Sequence, residues 1–75
     1  MSQMTTGAAA ITVNGQLQPY QSQTIRELLL ARGFDPEKPG IAVAINASIV
    51  HRADWNSRQL QPNDRVEIVR ATVGG

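Results

Sequence analysis

The segment Ile41-Ala42-Val43-Ala44-Ile45 limits the folds open to this chain more than any other feature. It is the longest uninterrupted apolar run in the sequence, bounded by Pro39-Gly40 before it and Asn46 after it. Five residues suit a strand better than a helix. Its large residues fall on one face and its alanines on the other, so both faces are apolar. An edge strand this bare invites aggregation, which assigns the segment to the interior of a sheet with a strand on either side. A chain of 75 residues holds one core, burying about 60% of the surface its unfolded form exposes, and leaves little room for a deep catalytic pocket.

Neighbouring segments supply the rest of that sheet and its cover. Residues 8–13 and 16–20 flank Asn14-Gly15, a pair suited to a tight hairpin because both central residues of a type I′ turn need positive φ. Pro19 lacks an N–H, so the second strand ends there or lies at an edge. Thr24-Ile25-Arg26-Glu27 has the form of a capping box, and Ile25, Leu28 and Leu29 then draw one apolar helical stripe. Gly33 provides a left-handed stop, beyond which Phe34 can fold back on Leu29 or Leu30. Two prolines and a glycine make residues 35–40 a loop. After the central strand come a turn at 46–48, a short strand at 49–51, an irregular stretch at 52–60 containing Trp55, and a turn at 62–64. A last strand at 65–70 turns Val66 and Ile68 inward. The order predicts an α+β fold, four or five strands with one helix laid across one face. Residues 1–7 lack periodicity and are expected to be a flexible extension.

Composition narrows the function. Seven Lys and Arg against six Asp and Glu give a net charge of +1, and no basic stripe is present to follow a phosphate backbone, so nucleic acid is not an expected partner. No cysteine occurs, which removes disulfides, thiolate catalysis and cysteine-ligated metal. The one histidine, His51, reads as an exposed strand-end residue. No apolar run approaches the ~18 residues of a membrane span. The N-terminus has no secretory pattern, so the cytosol is the expected location.

Two features stand out along the chain: the spacing of Ala44-Ile45-Asn46, Val50-His51-Arg52 and Trp55, and the diglycine at its end, which would otherwise read as a truncated linker or an accident of composition. Together with Pro62-Asn63-Asp64-Arg65-Val66-Glu67-Ile68 and the closing Gly74-Gly75, they resemble the ThiS family, the ubiquitin-like β-grasp sulfur carriers of bacterial thiamin (thiazole) biosynthesis, over residues 11–75. The family usually carries proline at the place of His51 and often glycine at the place of Asn63. The resemblance implies a mixed β-grasp sheet over residues 8–70 and a flexible tail over 71–75. It also implies that the chain is not itself an enzyme. A ThiF-like adenylating enzyme, using ATP with Mg, would convert the α-carboxylate of Gly75 to an acyl-adenylate. A sulfur donor, a cysteine desulfurase or its equivalent, would then yield a thiocarboxylate that gives its sulfur to a ThiG-like thiazole synthase. No cofactor or metal would be held by this chain.

An α-carboxylate is ionised at neutral pH and resists nucleophiles, hence the need for activation. Gly74 and Gly75 carry no Cβ to obstruct a narrow channel or crowd the carbonyl under attack. Residues 69–75, fully extended, reach about 23–25 Å, enough to enter a partner's active site while the body docks outside. Ala71, Thr72 and Val73 bring no charge into such a channel. Ala42, Ala44, Val69 and Ala71 are expected on the sheet face away from the helix, either covered by a loop or, as in the family, docked against the partner. Trp55 is open to two readings, binding anchor or core cover. Arg65 and Arg70 either pair with a partner's acids or are solvated, and Asn46 is expected to bond within its own turn. The same tail chemistry would serve carriers for molybdopterin, cysteine or tRNA thiolation. A ubiquitin-like modifier joined to lysines, or an interaction module with no reactive end, are the alternatives of a different class.

Overall fold

The computed structural model describes residues 9–71; the expected extension at 1–7 lies outside them. Strands β1 (Ala10–Val13) and β2 (Gln16–Pro19) pair antiparallel across Asn14 and Gly15, whose φ of 51° and 82° have the handedness that matches strand twist. Helix α1 (Ile25–Ala31) follows. The Thr24 N–H donates to Glu27 Oε1 at 2.8 Å and the Glu27 N–H donates back to Thr24 Oγ1 at 3.1 Å, the reciprocal cap that the sequence pattern requires. The helix stops at Gly33, φ 84°. There the Gly33 N–H donates to Leu30 O at 3.1 Å and the Phe34 N–H to Leu29 O at 2.9 Å, a Schellman ending that satisfies two terminal carbonyls.

Strands β3 (Ile41–Ile45) and β4 (Ser48–Val50) form a second hairpin, and β5 (Arg65–Arg70) completes a five-stranded sheet in the order β2-β1-β5-β3-β4. The last strand thus sits in the middle, parallel to β1 and antiparallel to β3. The apolar β3 has β5 on one side and β4 on the other, as its two bare faces demand. Ile11, Val13, Val43, Ile45, Val66 and Ile68 of the sheet pack with Ile25, Leu28 and Leu29 of the helix in one core. This is the α+β arrangement expected, a mixed sheet with a single helix on one face.

Three strands differ in their limits from the expectation. β1 begins at Ala10, with Ala9 outside it. β2 ends at Pro19 rather than Tyr20, although the Tyr20 N–H still donates to Ala9 O at 3.0 Å. β4 begins and ends one residue earlier than 49–51. Its turn consists of Asn46 and Ala47 alone, at φ 52° and 72°, because two consecutive left-handed residues close a hairpin without a third. The stretch at 52–60 contains one 3₁₀ turn, Arg52–Asp54, and then a β-bridge from Gln59 to Thr24 that seats the fully buried Leu60 in the core.

Ala47 pays for this turn in backbone strain, since its Cβ disfavours the left-handed region by about 1–2 kcal/mol. Ala47→Gly is expected to stabilise the protein by about 1 kcal/mol, read as a higher urea midpoint at unchanged slope. Asn46→Ala is expected to destabilise it by about 2 kcal/mol, because Ala tolerates positive φ less well than Asn and removes a side chain that bonds to β5.

Candidate functional site

Alternation along β3 and β5 divides the sheet into two chemically different faces. Val43, Ile45, Val66 and Ile68 point to the helix, so Ala42, Ala44, Glu67 and Val69 lie opposite. Ala42 stands directly across from Val69, and Ala44 across from Glu67 on one side and Ile49 on the other. Ala42 is exposed, Ala44 half-buried and Val69 59% exposed. The structure thus brings Ala42, Ala44 and Val69 together on an open face, with exposed Ala71 next along the chain. No described segment covers them. Thr72, Val73, Gly74 and Gly75 lie outside the described residues.

Sequence reasoning missed a member of this face. Ile49, 65% exposed, extends the apolar strip beyond Ala44. The signal was present, because a two-residue Asn46-Ala47 turn sets the hairpin register and pairs Ile49 with Ala44. Glu67 was likewise not assigned to this face and introduces one carboxylate into it.

The root of the tail is built from three separate segments. At the end of β5 the Arg70 guanidinium stacks over the Phe34 ring, 4.7 Å from its centroid, which places it against this chain rather than simply in solvent. One residue on, the Ala71 N–H donates to Gly40 O at 2.6 Å. Gly40 itself sits at φ 88°. Arg52, given no role by the sequence, donates to the carbonyls of Pro36 and, at 2.7 Å, Lys38 while stacking 4.5 Å over Trp55. It ties the proline loop to the body.

Trp55 is 3% exposed and donates its Nε1–H to Val50 O at 2.9 Å. Of its two readings the core one holds, because a buried and satisfied indole has no surface to offer a partner. Asn46 does not bond within its turn. Its Nδ2 donates to Asp64 Oδ1 at 3.0 Å and its Oδ1 accepts from the Arg65 N–H at 2.9 Å. At positive φ the side chain is carried away from the turn toward the start of β5. Asp64, 5% exposed, also accepts the Gln61 N–H at 2.8 Å and lies 3.7 Å from the Arg58 guanidinium. A buried carboxylate so surrounded holds strand ends together. His51 is exposed and opens the 3₁₀ turn. Among the described residues no group of three His, Asp or Glu side chains is placed to hold a metal ion, and no helix is long and apolar enough to cross a membrane.

Comparison with known proteins agrees with this geometry. The model of the ThiS family matches residues 10–75. Sulfur carrier protein ThiS of Escherichia coli (strain K12) is 34% identical over 59 residues, which cover 79% of this chain and 86% of that protein. The crystal structure of the thiamine biosynthesis protein ThiS from Geobacter metallireducens is similar with a TM-score of 0.73 and 25% identity, over 88% of this chain and 99% of that one. A solution structure of a thiamine biosynthesis protein from the same organism gives a TM-score of 0.69 at 25% identity, over 88% and 87% of the two chains.

The burial of Trp55 yields a stability test. Trp55→Ala is expected to cost about 3–5 kcal/mol in urea unfolding, and Trp55→Phe less, since the ring volume largely remains while the bond to Val50 O is lost. A Trp55→Ala variant as stable as the parent would return the residue to a binding role.

Proposed function

This chain belongs to the ThiS family, and on that premise we propose that it is a cytosolic sulfur carrier of thiamin biosynthesis whose reacting group is the α-carboxylate of Gly75. The observation that carries the reading is the family match, which runs through the diglycine to residue 75. A carboxylate oxygen of Gly75 attacks the α-phosphorus of ATP on a ThiF-like enzyme, pyrophosphate leaves, and an acyl-adenylate forms. The terminal sulfur of a persulfide, supplied by a cysteine desulfurase or an equivalent donor, then displaces AMP to form an acyl disulfide, and a thiol reductant cleaves its S–S bond, leaving the thiocarboxylate on Gly75 and a disulfide on the donor side. A ThiG-like thiazole synthase accepts that sulfur, and the carboxylate is regenerated for another cycle.

The protein's own contribution to this chemistry is presentation. Ala42, Ala44, Ile49 and Val69 offer a small, apolar docking face that costs little to desolvate. β5, the last strand, occupies the centre of the sheet and carries Val69 of that face. Ala71, Thr72 and Val73 carry no charge, and Gly74 and Gly75 carry no side chain to obstruct entry into the adenylating site. ATP and its Mg belong to the activating partner.

Intact mass spectrometry after incubation with a ThiF-like enzyme, ATP and a sulfur source is expected to show one oxygen replaced by sulfur at Gly75. An unchanged mass with a partner proven active on its own carrier overturns the reading, as would adducts joined to lysines in its place. Gly75→Ala is expected to unfold at the parent's temperature while losing about 10²-fold in kcat/KM of activation, the scale of a misplaced reacting atom. Val69→Glu is expected to leave stability within about 0.5 kcal/mol and to raise KM for the adenylating enzyme with kcat unchanged.

A further inference from the structure

We propose that Phe34, Gly40 and Arg70 are positioning residues that set the direction in which the C-terminal segment leaves the body, a proposal that rests on Gly75 being the reacting group. A chain that steps off the end of a strand ordinarily has a wide range of φ/ψ open to it. Here the last strand residue and the one after it are held from two sides. From the helix side, the Phe34 ring lies 4.7 Å beneath the Arg70 guanidinium. From the neighbouring strand, Gly40 O takes the Ala71 N–H at 2.6 Å, which carries the β3–β5 ladder one step past the Ile41–Arg70 pair.

Each anchor is itself fixed by a device that no strand end requires. Phe34 is held by the Schellman ending, through its N–H to Leu29 O at 2.9 Å and Gly33 at φ 84°. Gly40 presents its carbonyl from φ 88°, a conformation in which any L side chain is strained, and a Cβ there would stand 3.5 Å from Ala71 O. The loop that carries Gly40 is clamped by Arg52 through Pro36 O and Lys38 O. Arg70 has no ion pair among the described residues, so its described contact is the ring. An exposed stack of this kind adds little to global stability, yet it restricts the backbone that follows it. A body that only needed a stable fold would gain nothing from aiming these two residues; a body that delivers a terminus gains the fraction of molecules already pointing the right way, since apparent affinity scales with that fraction.

The test compares Arg70→Ala, Phe34→Leu and the double variant in the full chain, with Arg70→Lys as the conservative control. In the free, ¹⁵N-labelled protein, amide hydrogen exchange at Ala71 is expected to quicken about twofold to fivefold in each single variant and less in Arg70→Lys, with the unfolding temperature of Arg70→Ala unchanged. In pyrophosphate release with a ThiF-like enzyme and ATP, KM is expected to rise by the same factor with kcat retained, and the double variant is expected to be no worse than the worse single one. A silent Phe34→Leu, or a double variant whose effects multiply, overturns the proposal in favour of a direct contact from Arg70 to the partner. Ala71 exchange unaffected by both variants overturns it as well, whatever the activation assay returns. Parent protein that is never activated defeats instead the assignment of Gly75, leaving the exchange measurement to decide whether the root is aimed.

Discussion

The insertion of β5 between β1 and β3 is the interaction on which the rest of this molecule depends. Neither hairpin is self-sufficient, since an isolated two-stranded ribbon is marginal in water, and the two share no strand except through β5. Both hairpin turns reach toward it. Asn14 Oδ1 accepts the Ile68 N–H at 2.8 Å, and Asn46 Oδ1 accepts the Arg65 N–H at 2.9 Å. In each case a turn residue at positive φ offers its side-chain carbonyl where the main chain of its own strand has turned away, so the ladder on β5 is continued by side chains. Contacts of such large sequence separation form late and close large loops. The sheet is complete only when its last strand arrives.

That topology also sets what the molecule can do. A final strand in the middle of a sheet puts Val69 beside Ala42 on the open face. The opposite face is filled by α1 and by Trp55 and Leu60. The open face and the closed core therefore depend on the same strand, and a substitution that weakened β5 pairing would affect both. Asp64 belongs to this arrangement. Buried beside the start of β5, it accepts from Asn46 Nδ2 and from the Gln61 N–H, and its removal would lose two hydrogen bonds to a charged group, at about 1.5–3 kcal/mol each.

The elements most readable from sequence are those with local causes. The Asn14-Gly15 hairpin, the Thr24–Glu27 cap and the Gly33 stop each depend on residues within a few positions of one another, and the structure reproduces all three. Ile41–Ile45 was legible too, because an apolar strand with two bare faces has only one place to go. Asn46 and Trp55 were not. Asn46 has every local reason to bond its own turn, and only the arrival of Asp64 and Arg65, 18 and 19 residues away, gives it better partners. For Trp55 the same aromatic surface that makes a binding anchor makes core cover, and burial alone separates the two.

The candidate site divides along the same line. The residue types proposed for it stand in the sequence: the diglycine, the uncharged residues before it, and the small residues of β3. Its placement does not. That Ile49 joins Ala42, Ala44 and Val69, that the exposed Arg70 stacks on Phe34, and that β5 lies in the centre of the sheet follow from which strands become neighbours. Propensity and turn chemistry act over a few residues, whereas strand adjacency is decided by how the whole set of apolar faces can be buried at once, and that is a property only the assembled chain possesses.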